Sequence, residues 1–417
     1  MLTVNPSRLL DDLQVLSRIG ATPEGGVHRP ALSAADLEAR AWFRARAEAA
    51  GLICRQDGAG NLSAVLPAAD PAARTLLCGS HLDSVPYGGR FDGALGVLAA
   101  LEALRTIQES GLRLPFHLEA ISFTDEEGTH ISLLGSRAVA GLLTDADLEH
   151  PHSSPEAFAA ALERAGLCRE GLLAARRDPA SLLGYLELHI EQGSRLQDAG
   201  LEIGAVTAIV GIRSFWLTFS GQAAHAGTTP LPARRDALRG AASFITRAAE
   251  IVSADFPPGV ATCGQVEVAP GAFNIVPGRV RLALEFRHPA AEALDEMEAA
   301  LLALARECAA AHGLEVAFAP VGGVEPAAFD PDMVAAIEAA AAALGLRCTR
   351  LVSFAGHDAQ AMRAIAPAAM LFVPSVDGLS HQPGEYTRDS DVINGANTLL
   401  NTLLILAGRA WEKERAR

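Results

Sequence analysis

Aromatic side chains are scarce in this chain: Phe, Tyr and Trp make up 5% of its 417 residues. A surface that stacks nucleotide bases needs several aromatic platforms, so single-strand binding is disfavoured from the outset. Positive charge is also short, with 34 Lys and Arg against 49 Asp and Glu and a net charge of −15. Such a field argues against a nucleic-acid backbone as partner. The cysteines (Cys54, Cys78, Cys168, Cys263, Cys308, Cys348) are widely scattered and form no C-x-x-C pair, so a zinc ribbon fails and most are expected to be buried small apolar residues. No apolar stretch reaches the ~20 residues of a membrane span. The opening MLTVNPSRLLDDLQ lacks the basic region and long apolar core of a signal peptide. The expected compartment is the cytoplasm, with no membrane partner.

What the chain does have is apolar mass arranged in alternating elements. Half of its residues are hydrophobic, and its length is too great for one ordinary core, so two domains are expected. Residues 7–19 and 35–50 read as amphipathic helices, the second capped by Ser33. Residues 62–66, 75–79 and 116–124 read as strands, and 94–108 as a helix. This alternation predicts an α/β fold, a mixed sheet covered by helices on both faces. From about Gly211 the order becomes β-α-β-β-α with a further short strand at 315–319, which predicts an inserted α+β domain. VGGVEPAAFDP reads as the link back, after which the α/β alternation resumes. The expected division is therefore 1–210, 211–325 and 326–417, the middle part forming the inserted domain.

Chemistry concentrates at the predicted strand ends. GSHLDSVPYGGRFDG places His81, Asp83 and Asp92 after one apolar run, and FTDEEG places Glu126 and Glu127 after another. His189 lies in LELHIEQG and His381 in GLSHQPGEYT. Imidazole nitrogens and carboxylate oxygens suit zinc, manganese, cobalt or nickel. Two neighbouring ions need a bridging group, and Asp92, in its Gly-rich turn, is the best candidate. His81 and His189 would complete one ion, Glu127 and His381 the other. Asp83 is placed to accept a hydrogen bond from His81 and set its tautomer. Glu126 is placed to take a proton from water at the metals and pass it to a leaving nitrogen. Any one of these segments alone has a bland reading: a strand histidine is usually a hydrogen-bonded core residue, and an acidic run a solvated turn. His117 is expected to be such a core residue, while His28, His130, His150, His152, His288 and His312 read as loop or surface residues.

With these motifs in hand, the chain resembles the metal-dependent amidases of the M20 peptidase superfamily, in its hydantoinase/carbamoylase branch. GQAAHAGTTP, FNIVPG, EFR, AGHDA and SHQPGE extend the match to residue 385 in the family's order. The resemblance implies a dinuclear catalytic domain, with two divalent ions per subunit, and an inserted lid domain that makes a homodimer. It implies the same ligands, His81, Asp92, Glu127, His189 and His381, with Glu126 as general base. It further implies substrate contacts at Gln192, His225, Asn274, Arg287, Gly356 and His357. Of these, Arg287 would hold a carboxylate bidentately and His225 an oxyanion, with His225 and Asn274 acting across the dimer. The substrate class implied is a small N-carbamoyl or other ureido acid, and N-carbamoyl-L-amino acids are expected first. Allantoate, other ureido acids, peptides and N-acyl-amino acids are the alternatives, as is a catalytically inactive metal-binding dimer. The chain departs from the family's pattern at Phe354, where glycine is usual, and at Glu285 and Leu231; EEGTHIS also lacks the Arg-Phe that often follows the glycine.

Overall fold

The computed structural model describes residues 1–415, with side chains through residue 408. The chain divides into two compact units, Met1–Thr207 with the chain from Phe329 onward, and Ala208–Ala328.

The larger unit is built on a mixed sheet flanked by helices. Its centre holds four parallel strands side by side, in the order His117–Phe123, Thr75–His81, Leu182–Ile190 and Ala368–Val373. Antiparallel strands extend it on both sides, Leu62–Leu66 and Ile53–Gln56 on one and Ile203–Ile209 on the other. The central strands are buried along nearly their whole length, as parallel strands covered on both faces must be. Against them lies the helix Ala94–Glu109, apolar around most of its circumference and buried accordingly. Ser33 caps the helix Ala34–Ala49 by accepting from the Asp36 amide at 3.2 Å. Among the described residues, no helix is long and apolar enough to cross a membrane.

One buried ion pair ties the strand His117–Phe123 to the segment before Leu182. Glu119 accepts from Ser63 Oγ at 2.6 Å and from Arg177 Nη1 at 2.9 Å and Nη2 at 2.5 Å. Burial is the largest influence and opposes its charge, but the Arg177 hydrogen bonds and charge, with Ser63 and Arg55 added, together hold the carboxyl below its usual range. A carboxyl depressed in the folded state adds stability above its unfolded pKa, and that stability is lost as pH falls through the folded value. Arg177→Met is expected to cost about 3 kcal/mol at neutral pH by stranding the buried carboxylate. Its Tm deficit against the parent should shrink as pH falls below about 4, through the depressed value of Glu119 in the parent. A deficit that stays constant with pH would mean the guanidinium acts by packing and not by charge.

The smaller unit has a four-stranded antiparallel sheet in the order Glu315–Val324, Gly211–Ser220, Arg279–His288, Val260–Ala269. Helices Ala237–Asp255 and Ala291–Ala311 pack on it around Phe219, Phe244, Leu282, Phe286 and Leu301. Along Arg279–His288 burial alternates, with Val280, Leu282, Leu284, Phe286 and His288 inward. Arg281, Glu285 and Arg287 therefore share the other face, as a period of two requires. The last strand runs to Val324, so VGGV is strand where the sequence reads as a link. Its glycines pair with Ser214 and Arg213 after an irregularity at Pro320, and backbone pairing overrides their low strand propensity.

Candidate metal centre and active site

The carboxyl ends of the four central parallel strands deliver the candidate residues, the place where open parallel sheets form their sites. Thr75–His81 ends on His81, and His117–Phe123 runs directly into Glu126 and Glu127. Leu182–Ile190 carries His189 with Gln192 just beyond, and the chain after Ala368–Val373 reaches His381.

Asp92 stands at their focus. Its Oδ1 lies 3.0 Å from His189 Nε2 and 3.6 Å from His81 Nε2, and its Oδ2 is 3.2 Å from His381 Nε2. Glu127 Oε2 is 3.7 Å from His381 Nε2, and Glu126 Oε2 is 3.5 Å from His81 Nε2. His81 with Asp92 and His189, and Asp92 with Glu127 and His381, form two groups of donors whose atoms all lie within 4.8 Å of one another. The donor chemistry fits divalent cations. His81 Nδ1 is 3.0 Å from the Asp83 carbonyl and His189 Nδ1 is 2.9 Å from the Ile190 carbonyl. A carbonyl only accepts, so each Nδ1 carries a proton, and Nε2, turned toward Asp92, is the nitrogen left available to an ion.

The electrostatics agree. Burial, with the Asp92 charge added, pushes the Glu127 carboxyl up to about 7. Burial likewise lifts Glu126 well above the usual range; His81 opposes this and Glu127 adds to it. The Asp92 hydrogen bond raises His381 to about 9 against its partial burial. Carboxylates crowded in low dielectric, with imidazoles beside them, call for added positive charge.

Asp83 does not act as its position in the sequence suggests. Its carboxylate is 3.8 Å from His81 Nδ1, while its backbone carbonyl sets the tautomer. The carboxylate instead accepts from the Glu126 amide at 3.4 Å and the Glu127 amide at 3.2 Å, fixing the acidic turn. Gln192 donates to Asp92 Oδ2 at 2.9 Å. Gln192 and His381 both hold left-handed backbone, φ 60° and 58°, conformations that non-glycine residues keep only where the surroundings impose them. His357 is buried with its ring centroid 4.4 Å from that of His189, and its Nε2 is 3.1 Å from Ser353 Oγ. Gly356 precedes it.

Three of the expected substrate contacts lie in the smaller unit. His225 is exposed, and its Nδ1 accepts from the Gly227 and Thr228 amides at 3.1 and 3.2 Å. Asn274 is its neighbour through the Ala226 amide, which donates to the Asn274 carbonyl at 2.9 Å. Arg287 forms a salt bridge with Glu285 at 2.7 Å, two residues away on the same face.

Sequence reasoning missed Glu385. Its Oε1 accepts from the Phe91 and Asp92 amides at 2.9 and 3.0 Å, and Ser380 Oγ joins its Oε2 at 2.9 Å and Asp92 Oδ2 at 3.2 Å. The available signal was the Gly88-Gly89 pair, since a Cβ at Gly89 would overlap the Glu385 carboxyl. Glu385→Ala should weaken metal affinity about 10- to 100-fold, because the turn carrying Asp92 loses its anchor. Titration of the chelated protein with manganese would measure this, and an affinity within twofold of the parent would remove Glu385 from that role. Two histidines expected at the surface, His130 and His288, are buried, His130 against Phe158 and His288 at an inward strand position. His117, expected in the core, is only half-buried and bridges Ala68 and Pro71. Of the cysteines only Cys78 and Cys308 are buried, and Cys168 is exposed.

The model of peptidase family M20/M25/M40 matches residues 77–405. The chain belongs to this family. An N-carbamoyl-L-amino acid amidohydrolase of Geobacillus stearothermophilus is 37% identical over 406 residues, covering 97% of this chain and 99% of that one. An allantoate amidohydrolase of Bacillus subtilis (strain 168) is 33% identical over 403 residues, covering 96% and 97%. Among solved structures, a hydantoinase/carbamoylase family amidase from Burkholderia multivorans superposes with a TM-score of 0.91 at 37% identity, covering 97% of this chain and 98% of that one. The protein is thus an enzyme, an amidohydrolase of the M20 carbamoylase/allantoate group, with the fold of its structural neighbours.

Proposed function

We propose that the protein hydrolyses N-carbamoyl-L-amino acids to the amino acid, ammonia and carbon dioxide. The observation that carries this reading is the convergence of His81, His189 and His381 on Asp92 with Glu126 beside them, in a chain 37% identical to a carbamoyl-amino-acid amidohydrolase. His81 and His189 are proposed to hold one divalent ion and Glu127 and His381 a second, with Asp92 between them. Such ions, when bound, polarise a carbonyl and lower the pKa of nearby water toward ~7.

The chain's own groups then do the following. Glu126 takes the proton from the attacking water at its free oxygen and delivers it to the nitrogen of the breaking C–N bond. Gln192 orients Asp92 and the substrate. Arg287 exchanges Glu285 for the substrate carboxylate, and Asn274 adds a hydrogen bond. His225 donates to the oxyanion. The smaller unit is proposed to serve as lid and homodimer contact, with His225 and Asn274 serving the partner's site.

A second reading, allantoate as substrate, draws on the relative of that name at 33% identity. The test is ammonia release by manganese-loaded protein from N-carbamoyl-L-amino acids, N-carbamoyl-β-alanine, allantoate and N-acetyl-amino acids, the last followed by amino-acid release. Chelated protein is the control. Turnover of N-carbamoyl-L-amino acids at least tenfold above the others supports the reading. Preference for allantoate or for acetyl cleavage overturns it.

A further inference from the structure

The segment that follows His189 links two loops of the site. Gln192 reaches Asp92, and its amide donates to Ser375 Oγ at 3.0 Å, in the loop leading to His381. Gln197 and Asp377 exchange hydrogen bonds at 2.9 and 3.4 Å, which docks that loop a second time. Between these two ties Arg195 turns the other way and lays its guanidinium over the ring of Phe354, 4.9 Å from its centroid. Phe354 belongs to the loop of Gly356 and His357. Ser353 knots that loop, its hydroxyl donating to the Ala355 carbonyl at 2.8 Å and lying 3.1 Å from His357 Nε2.

Arg195 and Phe354 therefore flank the segments that bring Gln192 and His357 to the centre. The loop of Phe354 is open to solvent at Gly356. A Cβ on Gly356 would meet nothing closer than Gln360 Oε1 at 3.6 Å, and Gln192 Oε1 is buried with no hydrogen-bond partner. Arg195 is exposed, and its guanidinium forms no salt bridge among the described residues. An exposed cation resting on an aromatic face is weakly held, whereas a charge-assisted bidentate pair with a carboxylate is stronger. The Glu191 carboxylate is occupied by the Arg195 and Leu196 amides at 3.0 and 2.8 Å, so it anchors the backbone of this segment.

We infer that Arg195 and Phe354 form the side-chain selector of the site, Arg195 pairing with a substrate carboxylate and Phe354 closing the space to bulky groups. The preferred substrates are then N-carbamoyl-L-amino acids with a short acidic side chain, typified by the aspartate derivative, over aromatic ones. This rests on the N-carbamoyl-amino-acid reading above and names its substrate class.

The test compares kcat/KM of the metal-loaded enzyme for N-carbamoyl derivatives of L-aspartate, L-alanine and L-phenylalanine. The parent should prefer aspartate over alanine. In Arg195→Gln the aspartate-to-alanine ratio should fall at least about tenfold, mainly through KM, since a charged hydrogen-bond pair is lost. Arg195→Lys should retain part of the ratio because the charge remains. Phe354→Gly should raise the phenylalanine-to-alanine ratio at least about fivefold, as a steric wall is removed. Equal losses on all substrates in Arg195→Gln, or a parent that favours alanine over aspartate, would overturn the selector while leaving the carbamoylase reading intact. If the parent turns over no N-carbamoyl-amino acid, that reading falls and the selector falls with it. Arg195 is exposed, so its variants are expected to fold, and a melting curve with metal content checks this.

Discussion

Replacing Glu126 with glutamine is expected to lower kcat by about 10³-fold while metal content per chain stays at the parent's value, the loss typical of removing a general base. The reasoning is geometric. The Glu126 amide is held by Asp83 Oδ1 at 3.4 Å, so the side chain stays in place when its charge is removed. One oxygen lies 3.5 Å from His81 Nε2, beside the donors around Asp92 but outside the group made by Asp92, Glu127 and His381. Glutamine keeps the shape and can neither take nor return a proton. Glu126 also falls within donor distance of His81 and Glu127, so a ligand role is the concrete rival. Metal analysis of the purified variant separates the two. Loss of metal together with activity would make Glu126 a ligand, and a loss under tenfold would move the base elsewhere.

Much of this site was legible before the structure because its residues announce themselves by context. His81 and Glu126 follow apolar runs that could only be buried strands, and the carboxyl ends of such strands are where loops are free to carry chemistry. The strands Leu62–Leu66 and Ala368–Val373 stand where their apolar runs place them. What stayed hidden depends on tertiary contact. Glu385 lies 293 positions from the amide of Asp92, and nothing local marks it as that amide's acceptor. The division of labour within Asp83, carbonyl to His81 and carboxylate to the acidic turn, depends on the path the backbone takes after His81. The burial of His130 and His288 follows from what packs over them, Phe158 in one case and the helices of the smaller unit in the other. In VGGV the composition signals a loop, but the partner strand supplies the ladder and composition loses.

Gly93→Ala should reduce kcat/KM by at least about 100-fold, the order of loss that follows from misplacing a reacting group by about 1 Å. Gly93 joins Asp92 to the helix Ala94–Glu109 with φ 62° and ψ −50°, a conformation that L side chains rarely adopt. A Cβ there would sit 2.5 Å from both Nδ1 and Nε2 of His81. The His81 ring is wholly buried and its Nδ1 is tied to the Asp83 carbonyl, so it cannot swing aside without leaving Asp92. One methyl group thus disturbs two proposed ligands, and metal affinity should fall with activity. Backbone strain alone would also destabilise the variant, by about 1–3 kcal/mol, so strain and displacement must be separated. Gly25→Ala provides that control. Gly25 has φ 89°, and a Cβ there would meet nothing within 4 Å. Its alanine variant should lose stability while keeping metal and turnover. If Gly93→Ala behaves like Gly25→Ala, losing only stability, then His81 is not held where the metal chemistry needs it.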